Sequence, residues 1–305
     1  MSTPSARHRW PRRGLRVGLL LVALACREAA PPPGSAPEPC RPIARSELSV
    51  LTYNVHGIPA WAAGDDPEAR MPRISELLNA YDVALIQEDF RYHEPLRSRA
   101  IHPLIERGNR SRFWLGRATG WLDGAGLTLF GKWPAACGRA RIARPYEVCE
   151  GWLAAANDCL ASKGLLQLRL PLEGGHEVDL YTTHLDAGNG DADQVTRLLQ
   201  LERLAAHIEA TSAGRAVILG GDFNLASETP AQRLALEQFA ERLGLRDSGA
   251  RADTDLWPER LDHLLYRGSA DTRLEVVEAG EDPRFGAAGS PLSDHPALFA
   301  RFAVE

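Results

Sequence analysis

Six segments of this chain place cation-binding or proton-moving side chains at the border of an apolar run. In chain order they are Leu51-Thr52-Tyr53-Asn54, Leu85-Ile86-Gln87-Glu88, Leu180-Tyr181-Thr182-Thr183-His184, Leu219-Gly220-Gly221-Asp222-Phe223-Asn224, Leu261-Asp262-His263-Leu264 and Ser293-Asp294-His295-Pro296. Carboxylate and amide oxygens are hard donors that suit a divalent cation, and imidazoles take or give a proton near neutrality. The stretch from Gly220 to Asn224 is the most telling. It follows Ala216-Val217-Ile218-Leu219, which reads as a buried strand. Two glycines there let the backbone turn sharply or approach a ligand closely. Asp222 can hold a hard cation, and Asn224 can donate hydrogen bonds from its side-chain amide. Each segment alone has an ordinary explanation. An Asn at a strand end is usually a turn residue, and a Glu after a strand is usually a solvated carboxylate. Six in one chain ask for a sheet rim at which they meet.

The elements that must do this positioning are readable from hydrophobic period. Strands are predicted at 49–55, 82–87, 126–130, 165–170, 178–183 and 216–219, with closing strands at 261–266, 273–279 and 297–304. Helices are predicted at 69–80, 191–210 and about 230–243. The apolar side of the longest is read as Val195, Leu198, Leu199, Leu201, Leu204, Ala205 and Ile208. Strands interleaved with helices, and no domain-separating linker after residue 47, predict one α/β domain over 47–305.

The N-terminal part has a different composition. Residues 1–25 carry five arginines and no acid around an apolar run, 17–25, that is short for a membrane span. This reads as a secretory signal, so the protein is expected to be extracytoplasmic. Two fates for its end stay open. Ala23-Leu24-Ala25 suits ordinary cleavage, and the same residues before Cys26 resemble a lipobox that would anchor the chain to the cell envelope through that cysteine. Residues 26–46 are proline-rich and read as a stiff tether. Without the leader, Lys+Arg falls from 35 to 30 against 40 Asp+Glu. A mature surface about ten charges negative does not gather nucleic-acid phosphates by bulk electrostatics, although a bound cation can supply local positive charge. Cys149 and Cys159 are close enough to clip one loop, which leaves Cys40 with Cys137. The cysteine and histidine spacings do not suit zinc.

The ordered set Asn54, Gln87-Glu88, His184, Gly221-Asp222-Phe223-Asn224, Asp262 and Ser293-Asp294-His295 resembles the endonuclease/exonuclease/phosphatase superfamily, over about residues 47–305. That superfamily includes deoxyribonucleases, abasic-site endonucleases and neutral sphingomyelinases. The resemblance implies a four-layer sandwich of two packed mixed β-sheets flanked by helices. It implies Mg²⁺, with Mn²⁺ as the alternative, held by Glu88 and Asn54, with Asp294 at a second metal or supporting the first. It implies that Asp222 and Asn224 position water and phosphate. His295 would act as general base oriented by Asp262, and His184 would donate to a phosphoryl oxygen or the leaving group.

Substrate class rests on finer detail. Asp158 and Lys163-Gly164 ahead of a strand are similar to the neutral sphingomyelinase pattern, so Lys163 is either a phosphate-holding cation or a surface lysine in a turn. Asp186 stands where those enzymes often carry Gln; it could bind metal, make a local turn or repel an anion. Trp61 and Trp257 fall in predicted loops near Asn54 and Asp262, where they would touch lipid, stack on a base or pack locally. Trp114, Trp121 and Trp133 read as core, and Arg197 with Gln200 as structural. The expectation is a metal-dependent phosphodiesterase acting on a sphingomyelin-type phospholipid. The alternatives are a non-specific extracellular nuclease or a silent phosphate-binding domain.

Overall fold

The computed structural model describes residues 40, 46–108, 124–150, 158–226, 228–249, 260–286 and 291–305. The leader, Cys26, most of the tether, Trp114, Trp121 and Trp257 lie outside the described residues.

Among the described residues, twelve strands form two six-stranded mixed sheets. The first runs in the order β11 (Leu274–Glu281), β12 (Leu298–Val304), β1 (Glu47–Asn54), β2 (Val83–Gln87), β4 (Thr128–Gly131), β3 (Leu104–Arg107). The second runs β5 (Arg139–Pro145), β6 (Gly164–Pro171), β7 (Glu177–His184), β8 (Ala216–Asp222), β10 (Asp262–Arg267), β9 (Arg246–Asp247). One parallel pair sits inside each sheet, β1 with β2 and β7 with β8. Each needs a crossover, supplied by the helices Pro67–Leu78 and Asp191–Ser212.

The central strands are buried on both faces, which is why they read as nearly continuous apolar runs. Val50, Val83, Leu85 and Leu129 meet Leu166, Leu180, Ile218 and Leu264 between the sheets. On the outer face of the first sheet, Leu51, Tyr53, Ala84 and Ile86 pack on Met71, Ile74 and Leu78. On the outer face of the second, Tyr181, Val217, Leu219 and Leu265 pack on Leu204, Ile208, Leu236 and Phe239. The four expected layers are therefore present, helices outside and two sheets within. At Gly220 the sheets approach so closely that an added Cβ would lie 2.8 Å from both Leu85 Cδ1 and Thr52 Cβ. The close approach permitted by that glycine is to the opposing sheet and not to a ligand.

Several details differ from the sequence reading. Val195, Leu198 and Leu199 are exposed, while Arg197, Gln200, Leu201, Leu204, Ala205, His207 and Ile208 are buried. Arg197 and Gln200 occupy the inner side because they have polar work there. Arg197 Nη1 donates to Asp186 O (3.0 Å) and Gly188 O (2.8 Å). Gln200 accepts from Asp186 N (2.7 Å) and donates to Val148 O (2.9 Å). Strands β3, β5 and β9 were not predicted. Trp61 lies in a short helix, Ala60–Ala63, and is 77% exposed. Trp133 is buried, its indole N–H donating to Pro171 O (2.8 Å). Both disulfides form, Cys40–Cys137 and Cys149–Cys159.

Candidate active site

A polar band closes the inter-sheet core at one end. Gln87 Nε2 donates to Thr182 Oγ1 across the gap (2.8 Å) and to Thr52 Oγ1 (3.2 Å), all three being fully buried. Beyond this band both sheets end in ionisable residues. Register sets them level: Asn54 pairs with Gln87 in the first sheet, and His184, Asp222 and Asp262 lie side by side on β7, β8 and β10. Glu88 follows β2 with φ of 60°. Gly57 N donates to its carbonyl (2.9 Å), and a Cβ on Gly57 would lie 2.1 Å from that oxygen, so only glycine fits there.

Seven of the predicted residues meet here. Asn54 Nδ2 donates to Glu88 Oε1 (3.2 Å) and Asp222 Oδ2 (3.0 Å). Its own oxygen accepts from His56 N (2.9 Å), so the amide presents nitrogen, and not oxygen, to the carboxylates. Asn54 thus orients two candidate cation ligands, which departs from its expected place as a ligand. His295 Nδ1 pairs with Asp262 Oδ2 at 2.7 Å, and its Nε2 lies 3.7 Å from Asp222 Oδ2. This is the carboxylate–imidazole arrangement expected of an oriented base. His184 Nε2 lies 3.4 Å from Asp222 Oδ2 and 3.8 Å from Glu88 Oε1.

Lys163 reaches the same place and is only 4% exposed, so it is not a surface lysine in a turn. Its ammonium is 2.7 Å from His184 Nε2. An ammonium only donates, so His184 Nε2 must accept and carry its proton on Nδ1. This differs from the expected donor role of His184: the donor in contact with Nε2 is Lys163. Asn224 N donates to Asp222 Oδ1 (3.0 Å), and its side-chain amide donates to Leu185 O (3.0 Å), tying the loop after His184 to β8. Asp294 pairs with His56 Nδ1 and is the most exposed acid of the set, at 57%. Asp186 is buried and accepts from Glu150 N (3.4 Å), so its side chain ties distant segments together and does not make a local turn.

The electrostatics follow from burial and charge. Burial raises the Glu88 carboxyl above the usual range, against Lys163 and the Asn54 hydrogen bond. Burial would also raise Asp222, but the charges of His295 and Lys163 and the Asn54 hydrogen bond outweigh it and hold it low. Burial raises Asp262 to about 6 against the pull of His295. Burial alone would lower His295; the charge and hydrogen bond of Asp262 raise it to about 10. Burial, with Lys163 adding to it, drops His184 to about 3 and keeps it neutral. Burial works against the ionised form of Asp294, yet the His56 hydrogen bond and charge hold it down at about 2.

Glu88, Asp222, Asp262 and Asp294 crowd one rim, and their hard oxygen donors suit Mg²⁺. Asp222, Asp262 and His295 bring ligand atoms within 4.8 Å of one another, and Asp262 Oδ1 is buried with no hydrogen-bond partner among the described residues. Glu88 and Asp294 lie outside that trio. A divalent cation therefore fits the donor set, with Asp222 as the carboxylate shared between both groupings. Two participants were missed from sequence, His56 and Arg70. The position of His56 two residues after Asn54 was a signal that could have been used. Arg70 gave none.

Comparison with known proteins agrees with the fold. A family model described as Endonuclease/Exonuclease/phosphatase family matches residues 51–295. The chain is 32% identical over 271 residues to a sphingomyelinase of Mycobacterium tuberculosis, covering 82% of this chain and 51% of that protein. It thus spans about half the length of that curated relative. Among solved structures, a mutant beta toxin from Staphylococcus aureus with bound magnesium ions superposes with a TM-score of 0.60 at 16% identity, covering 83% of this chain and 99% of that one. Sphingomyelinase C from Streptomyces griseocarneus gives 0.56 at 20% identity, covering 84% and 99%.

Proposed function

The chain belongs to the endonuclease/exonuclease/phosphatase family, and from that premise we propose that it is an exported, Mg²⁺-dependent phosphodiesterase acting on a sphingomyelin-type phospholipid. One observation carries the reading: Asn54 gathers Glu88 and Asp222 at the rim where the His295–Asp262 pair and the Lys163–His184 pair also converge. A phosphate binder has no use for an imidazole aligned by a buried carboxylate. The likeness to sphingomyelinases supports the lipid substrate, as does the buried cation Lys163.

Phosphodiester hydrolysis needs an aligned water, a base, neutralisation of phosphoryl charge and a proton for the leaving oxygen. Asp222 and Asn224 would order the water and the phosphate. Asp262 fixes His295 Nδ1, so Nε2 is the atom that takes a proton from the attacking water; the leaving oxygen takes its proton from solvent water. Lys163 places a positive charge beside the phosphoryl oxygens, with His184 holding its ammonium in position. Glu88 and Asp222, turned by Asn54, would hold the cation, with Asp294 at its margin. A bound divalent cation would offset the crowded carboxylates, draw the pKa of His295 down toward neutrality and neutralise charge building on the phosphoryl oxygens.

The test is hydrolysis of sphingomyelin, single-stranded DNA, plasmid DNA and a bis-aryl phosphodiester, each with Mg²⁺ and with chelator. Magnesium-dependent release of phosphocholine from sphingomyelin is expected. Cleavage of DNA without lipid would reverse the substrate class, and no turnover of any ester would leave a binding domain.

A further inference from the structure

Arg70 lies outside the proposed chemistry, yet it is a buried guanidinium, 7% exposed, on the inner side of the helix Pro67–Leu78. After Asn54 the chain leaves β1, and the carbonyls of Val55 and His56 lose their strand partners. Arg70 satisfies both: Nη1 donates to Val55 O and Nη2 to His56 O, each at 2.5 Å. The same Nη1 donates to Leu292 O (3.0 Å). Leu292 immediately precedes Ser293, Asp294 and His295. One side chain therefore joins the loop that follows Asn54 and carries His56 to the loop that carries the general base, more than 200 residues away in sequence. Ser293 Oγ donating to Asn54 O (2.7 Å) and the His56–Asp294 pair make parallel links between the same two loops.

We infer that Arg70 is a positioning residue: its planar fork sets the distance between the Asn54–Glu88 side of the site and the Asp294–His295 side. This rests on the phosphodiesterase reading for its effect on rate, though not for the geometry. Three carbonyls on two loops demand donors spread over a rigid plane. A lysine ammonium is a point and cannot span them. The outer edge of the guanidinium is held by Asp65, Nε to Oδ2 at 2.5 Å.

The experiment compares Arg70→Lys and Arg70→Gln with the parent protein. kcat per folded molecule should fall by about 10²-fold in both, the size of effect that follows from a small misplacement of catalytic groups. KM should change by less than about threefold, because no substrate contact is removed. The metal-free proteins provide a second reading that needs no turnover. In their ¹H–¹⁵N imidazole spectra, the signals of His56 and His295 should shift while that of His102, bonded to Tyr81 O at the far end of β2, stays in place. An unchanged kcat per folded molecule, or an unmoved His295 signal, would overturn the inference. A parent protein inactive on every ester would instead sink the functional reading and leave the spectra to decide this one. If neither variant folds, Asp65→Ala decides, since Asp65 is 43% exposed. It should lower kcat in the same direction by up to about fivefold, and no change would overturn the inference.

Discussion

Lys163 shows how one residue can turn an ordinary histidine into a specialised one. With the ring buried, and with the ammonium 2.7 Å from Nε2 adding to that effect, His184 stays neutral through the physiological range. Lys163→Met would remove the cation and leave His184 Nε2 without its donor. A lost charge stabilisation of this kind typically costs about 10²-fold or more in kcat. The expected result is that fall, with a thermal midpoint close to the parent's, read by steady-state kinetics and calorimetry. Lys163→Arg should not restore the rate, because the larger planar group has no room at a 4% exposed position. Turnover at the parent rate in Lys163→Met would remove Lys163 from the mechanism. Glu88 allows a different test. Glu88→Gln keeps the shape and the contact with Asn54 but removes a negative charge from the proposed cation site. The Mg²⁺ concentration for half-maximal activity should rise by at least about tenfold, as expected when a charged ligand is lost. An unchanged Mg²⁺ titration would place the ion elsewhere, with the trio Asp222, Asp262 and His295 the next candidate.

At the level of elements, Gly220 limits how close the two sheets can come. It faces Thr52 and Leu85 of the opposite sheet just below the polar band of Gln87 and Thr182. Gly220→Val would overpack that contact and cost about 1–3 kcal/mol, seen as a lower urea midpoint with an unchanged slope. A midpoint equal to the parent's would mean that the sheets can part there at little cost. The central strands were legible because burial on both faces writes an apolar run into the sequence. The edge strand β5 was not legible, since Arg139, Arg141 and Arg144 are exposed and no alternation survives. Charged edges of this sort resist pairing with other chains, which explains their composition but hides them from a hydrophobic reading. The long helix Asp191–Ser212 misled for the opposite reason. It carries more apolar residues than its buried side needs, and that side also holds Arg197, Gln200 and His207, whose polar atoms find partners inside.

Across the whole molecule, the site depends on contacts that no local pattern encodes. Asn54 and Asp222 touch across 168 positions of sequence, and Arg70 reaches Leu292 across 222. Motif residues announced their chemistry through type and order, and so the four-layer fold and the meeting of these residues at one rim were readable. The direction in which each polar atom points was not, because the His184 ring is oriented by Lys163 from another segment, and the Asn54 amide turns its nitrogen to Glu88 and Asp222 of other segments while its oxygen takes the nearby His56 N–H. The same tertiary burial gives the molecule a pH dependence away from the site. Burial lowers the pKa of His102, and burial aided by Arg144 lowers that of His207. In the unfolded chain both would titrate near about 6.5. Below that pH the unfolded state binds protons that the native state refuses, so unfolding gains and stability falls as pH drops. The slope flattens once the pH passes below the native values. The double variant His102→Gln, His207→Gln removes both groups, while its difference from the parent cancels the shared contributions of the site. The gap between their unfolding free energies should therefore shift in favour of the variant as pH is lowered from 7 to 5, measured by urea unfolding in chelator. A gap that stays constant across that range would mean that both histidines titrate alike in the folded and unfolded chains.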